Sequence, residues 1–144
     1  MKLHCSSLFL LVLTAPASLL IGTTGYGQLE FERDPINYST ATPHDRVAKL
    51  KEKVDAGELT LGHDADHGYL PALMEYLEVP ASSQTLVFSQ TSLQRHCISP
   101  QRPRALYFND DVYLGWVQQG DVVEISAVDP QLGAVFYTLD QHNT

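Results

Sequence analysis

Apolar and polar residues alternate most clearly over positions 104–141, RALYFNDDVYLGWVQQGDVVEISAVDPQLGAVFYTLDQ. Four β-rich runs stand out, at 105–108, 112–117, 122–128 and 134–139. Asn109-Asp110-Asp111 separates the first two, and these residue types tolerate left-handed or Asx-turn backbone. Gln118-Gln119-Gly120-Asp121 follows the second run, where Gly120 supplies a positive φ at no steric cost. Asp129-Pro130-Gln131-Leu132-Gly133 follows the third, with Pro130 suited to the i+1 corner of a type I turn. Connections this short join antiparallel neighbours, so the pattern predicts a meander. In the third run Val123, Ile125 and Ala127 share one face and Val122, Glu124, Ser126 and Val128 the other. In the fourth, Val135, Tyr137 and Leu139 oppose Ala134, Phe136 and Thr138. Both faces of that last run are apolar, which predicts that the second face is covered too.

Upstream the period becomes helical. Thr42 can cap a helix, Pro43 suits its first position, and Asp45 sits where the helix dipole favours an anion. The helix is predicted over 43–56, with Val47, Leu50 and Val54 on one face and Gly57 as its stop. Pro71 opens a second helix over 71–78, turning Leu73, Met74 and Leu77 inward before Val79-Pro80 closes it. A short strand is expected at 58–61 and a buried strand at 85–89 (TLVFS). Pro100 and Pro103 make 92–103 a loop, because proline excludes both regular ladders and helix interior. The predicted class is α+β: a mainly antiparallel β-meander of four to six strands covered by two short helices.

The first residues change the picture from a cytoplasmic chain to an exported one. Lys2 precedes an apolar run at 8–21, and Gly25-Tyr26-Gly27 offers small residues at −3 and −1 of a cut before Gln28. This reads as a signal peptide over 1–27, directing the chain to the periplasm or outside the cell. The apolar run contains Pro16 and is shorter than the ~20 residues that a membrane-spanning helix needs. Residues 28–42 lack a sustained period and read as an extended arm, and 43–144 as one α+β domain. Asn37-Tyr38-Ser39 fits a glycosylation sequon, which matters only on a eukaryotic secretory path. The net charge of −8 argues against nucleic acid and anionic membrane as partners, since both would repel the chain. Of the two cysteines, Cys5 lies in the leader, so Cys97 remains alone and is expected to be buried and inert.

Three clusters carry candidate chemistry. His63-Asp64-Ala65-Asp66-His67 lies between Gly62 and Gly68. His63 and His67, four apart, would share a face for a divalent metal if the segment were helical, whereas the flanking glycines favour a polar loop. Arg95, His96, Arg102 and Arg104 form a basic cluster in an acidic chain, with Arg95, Arg102 and Arg104 the candidate anion ligands and pairing with acidic neighbours the plainer reading. Asp110-Asp111 falls in a turn and is no acid/base pair. Tyr107, Phe108, Tyr113, Trp116, Phe136 and Tyr137 recur at strand spacing and read as core, as Met74 does on its helix. No GxSxG, P-loop, dinucleotide fingerprint or paired CxxC is present, so the residues by themselves support no enzyme.

Three segments carry a family resemblance: GYLPALMEYLEVPASSQTLVFSQTSLQ at 68–94, SPQRPRALYFNDDVYLGWV at 99–117 and VVEISAVDPQLGAVFYTLDQ at 122–141. Together they resemble the N-terminal part of exported bacterial c-type cytochrome-like proteins. The resemblance implies a haem-bearing CxxCH segment soon after the meander, where two thiols bond the haem vinyls and the histidine ligates iron. CxxCH is absent here, so no cofactor is expected on this chain, and haem enters only through sequence beyond it or a partner. The expected function is a non-catalytic exported domain, either severed from its haem-bearing part or dependent on a haem-bearing partner. The alternative is a small exported enzyme, metal-dependent or anion-binding, using the His63/His67 loop or the Arg95-to-Arg104 loop.

Overall fold

The computed structural model describes residues 29–89 and 91–142, together with the backbone of Leu3–His4. In chain order the regular elements are β1 (Leu3–His4), α1 (Arg46–Asp55), α2 (Leu70–Tyr76), β2 (Thr85–Val87), β3 (Arg104–Phe108), β4 (Val112–Val117), β5 (Val122–Asp129) and β6 (Gly133–Asp140). The strands form one sheet in the order β1-β6-β5-β4-β3-β2, with every neighbouring pair antiparallel. The meander predicted from alternation is therefore present, inside an α+β fold. Leu114 faces Ile125, and Ile125 faces Tyr137, so apolar side chains stack across three strands on one face. The expected leader otherwise lies outside the described residues.

The helices take one face of the sheet. Val47 and Leu50 of α1 and Leu70 and Leu73 of α2 are buried against Leu114, Val123, Ile125 and Leu139. Full burial of each leucine contributes about 1.5–3 kcal/mol. The first helix begins later than predicted: Asp45, rather than Thr42, is its N-cap. The Asp45 carboxylate accepts the N–H groups of Val47 (2.7 Å) and Ala48 (3.0 Å), a tighter arrangement than a Thr42 hydroxyl farther upstream can reach. Gly57 ends the helix as expected, at φ +72°. The second helix starts at Leu70 with Pro71 in its first turn and stops before Glu78 turns to φ +56°. Asn109 joins two jobs there. Its Oδ1 accepts the N–H groups of Asp111 and Val112, making the predicted Asx turn, while Nδ2 donates to the carbonyls of Leu77 and Glu78 beyond the helix end.

Several expectations are corrected. Residues 58–61 form no strand; they run as irregular chain with Leu61 buried. The arm at 29–42 is not extended but folded into a 3₁₀ turn at Glu30–Glu32 and successive tight turns. Side-chain bonds from Tyr38 Oη to the Ala134 carbonyl and from Gln131 Nε2 to the Pro35 carbonyl fasten it to the β5–β6 end. The TLVFS strand is short and lies at the sheet edge, with Leu86 50% and Phe88 59% exposed, so local apolarity there does not mark burial. Leu86→Ser should accordingly change stability by less than about 1 kcal/mol. A loss near the ~2–5 kcal/mol of a core leucine, measured by urea denaturation, would mean that the edge is covered.

Most consequential is the second face. Ser92–Gln94 reaches over one part of it, yet Tyr113, Val128 and Phe136 stand exposed, the last at 67%. Of the aromatics expected in the core, Tyr107 and Tyr137 are buried and Trp116 is half-buried, whereas Phe108, Tyr113 and Phe136 belong to this open side. Phe108 and Tyr113, paired in register, stack at 5.5 Å between centroids.

Candidate functional site

The two histidines of the glycine-bracketed loop are drawn to different partners. Asp64 and Gly68 exchange backbone hydrogen bonds of 2.8 and 3.0 Å, closing the segment into a tight loop rather than a helix. His67 Nδ1 lies 3.0 Å from Asp64 Oδ1, and its ring rests 5.5 Å from that of Trp116. That imidazole bond, joined by the N–H groups of His67 and Asp66, holds the Asp64 carboxyl below the usual aspartate range. His63 Nε2 instead donates to the Gln141 carbonyl at 3.0 Å, with its ring edge against Tyr69. Both imidazoles thus tie the loop to neighbouring structure. Among the described residues, no group of three His, Cys, Asp or Glu side chains is arranged to hold a metal ion.

The residues of the basic cluster meet different neighbours. Arg95 and His96 lie in an exposed 3₁₀ turn at Arg95–Cys97, with His96 Nε2 3.9 Å from Asp121. Cys97, expected to be buried, is only partly so, because this turn lies on the surface. Arg102 donates from Nη1 to Gln119 Oε1 at 3.3 Å. Arg104 alone begins a strand, and strand alternation sends it to the open face.

On that face Arg104 meets Glu124, two strands away across Gly115. The side chains are 19% and 11% exposed and form an ion pair through Arg104 Nη2 and Glu124 Oε2. The register places Leu106 beside Gly115 and Gly115 beside Glu124. A Cβ at position 115 would collide with Nε, Cζ and Nη2 of Arg104, so only glycine leaves the guanidinium room to lie against the sheet. Glu124 Oε1 also accepts from Ser92 Oγ and from the Leu93 N–H, each at 2.7 Å. Gln94 completes the anchor. Its side-chain amide donates to the Val122 carbonyl at 2.8 Å and accepts the Val122 N–H at 3.1 Å, extending the β5 ladder with a side chain.

The result is a groove of about 380 Å³ whose lining includes Leu93, Leu106, Tyr113 and Phe136 around the Arg104–Glu124 pair. Its described lining contains no histidine, lysine or cysteine. Ser92 is engaged as a donor to Glu124. The arrangement is equipped to bind. Sequence reading identified Arg104 but missed Glu124, Ser92 and Gln94; the available signal was Gly115 in the interior of an otherwise apolar strand.

Cys97 has no second thiol beside it among the described residues and is followed by Ile98. Among the described residues, no helix is long and apolar enough to cross a membrane. Comparison with protein-family models, curated proteins and solved structures finds no match to the chain.

Proposed function

We propose that this is a non-catalytic exported domain that acts by docking a haem-bearing polypeptide, either a continuation of the chain or a separate partner, on the open face of its sheet. The observation that carries this reading is the one-sided cover of the meander: helices bury one face, while Phe108, Tyr113, Val128 and Phe136 remain exposed on the other. Exposed large apolar side chains gathered on one surface mark interaction sites. The resemblance of 68–141 to the N-terminal part of c-type cytochrome-like proteins suggests the class of partner, and the given sequence holds no CxxCH of its own.

Co-expression with the polypeptide encoded immediately downstream tests the reading. A CxxCH-bearing product should co-purify with the tagged chain and give a haem absorption spectrum. Val128→Lys together with Phe108→Lys should release it, since both positions lie on the open face outside the groove lining. Absence of any CxxCH-bearing product, or equal retention by the double variant, would overturn the proposal.

A further inference from the structure

We propose that the groove around Arg104 binds a small organic carboxylate with a flat apolar body, the carboxylate meeting the guanidinium and the body lying along Tyr113 and Phe136. This goes beyond partner docking and rests on a separate observation, the unmet hydrogen-bonding capacity of a largely buried arginine.

A guanidinium carries five N–H donors and no acceptor. Among the described residues Glu124 pairs with Arg104 through Nη2, and Arg104 Nε is buried with no partner. Glu124, in contrast, is already supplied: Oε2 faces Arg104, and Oε1 accepts from Ser92 Oγ and Leu93 N–H. The guanidinium thus has donors to spare while the carboxylate beside it does not, a balance that suits an anion rather than an amine. Arginine's planar fork suits a carboxylate, and the Glu124 contact holds that fork in place before a ligand arrives.

The apolar walls set the rest of the ligand. Ser126 is opposite Tyr113 on one side and Phe136 on the other, so a small residue separates two aromatic ones across three strands. Leu93 and Leu106 contribute further apolar surface. A ring above Ser126 would contact both aromatic side chains. The groove volume of about 380 Å³ suits a molecule of one or two rings. An inorganic anion would leave these walls bare.

Calorimetric titration of the purified chain with benzoate, phenylacetate and indole-3-acetate tests the assignment. At least one should bind one-to-one with Kd of about 1 mM or tighter and raise Tm. Its primary amide should bind at least about tenfold more weakly, because it lacks the charge that Arg104 recognises. Two variants locate the site. Ser126→Trp fills the space between Tyr113 and Phe136 and should abolish binding, while Tm without ligand stays near the parent value. Arg104→Lys keeps a cation for Glu124 but loses the planar fork and should weaken binding at least about tenfold. Failure of all three carboxylates to bind, equal binding of acid and amide, or undiminished binding by both variants would overturn the proposal. These readouts use the chain alone, so they are independent of whether a haem-bearing partner docks.

Discussion

Glu124→Ala should lower the stability of the domain by about 2–4 kcal/mol, below the top of the range for breaking a fully buried ion pair from one side because both side chains keep some exposure. Arg104 would keep its place on the sheet, held by Gly115 beneath it, with its charge uncompensated in an apolar groove. Ser92 Oγ and the Leu93 N–H would lose their shared acceptor at the same time, loosening the segment that reaches over the open face. For a domain of this size the expected fall in Tm is on the order of 10–20 °C. The companion experiment replaces both charges, Arg104→Met with Glu124→Leu. Apolar side chains of similar bulk remove the stranded charge, so the double variant should recover at least about half of the loss. A single variant within about 1 kcal/mol of the parent would show that water reaches the pair freely, as at an exposed salt bridge.

The parts of the fold legible in the sequence were those governed by local chemistry. Alternation in 122–128 put Val123, Ile125 and Ala127 on one face, which is the buried one, and Asn109 and Gly57 announced a turn and a helix end. The errors have one origin, which is that burial is decided by what packs on an element. TLVFS has the composition of a buried strand, but it forms the edge beyond β3, where among the described residues no further strand pairs with it and Leu86 stays exposed. Thr42-Pro43 has the chemistry of a helix start, yet Asp45 captures the first N–H groups because it also reaches Tyr137, far along the chain. The second face of the meander was expected to be covered on the strength of Phe136, whose apolarity says that it needs a partner and not where the partner is.

The groove was legible only in fragments for the same reason. Arg104 stood out by charge, but grouping it with Arg95 and Arg102 followed sequence proximity, whereas its ion-pair partner is Glu124, twenty positions on. Glu124 is ordinary in sequence, a polar residue in an alternating strand, and its role depends on the β3–β4–β5 register. His63 and His67 were grouped by a spacing that matters on a helix; the Asp64–Gly68 bridge closes a loop and sends the two rings to Tyr69 and Trp116.

Acid should remove the stabilisation that the buried carboxylate of Asp129 supplies. Asp129 lies at the end of β5 and accepts the N–H groups of His44 at 2.5 Å and of Gln131 and Leu132 at 2.8 Å. Asp45, next to His44, caps α1 and accepts from Tyr137 Oη on β6, so two carboxylates lock the start of the helix to the β5–β6 hairpin. Burial pushes the Asp129 carboxyl up, but the three backbone N–H groups outweigh it and leave the group below its ordinary range. The sign follows directly. The folded state holds the charged form more strongly than the unfolded chain does, so the contribution is complete above the ordinary aspartate value. It fades as pH falls from there towards the depressed folded value, and is lost beneath that. Asp129→Ala should therefore cost about 2–4 kcal/mol at neutral pH, the scale of charge-assisted hydrogen bonds removed from buried donors. Urea denaturation of parent and variant between about pH 7 and about pH 3 should show their stabilities converging on the acid side. Asp110→Ala, in the exposed β3–β4 turn, should stay within about 0.5 kcal/mol of the parent throughout. A gap between Asp129→Ala and the parent that is constant across the range would assign the loss to packing, and the carboxylate would not be what joins the helix to the hairpin.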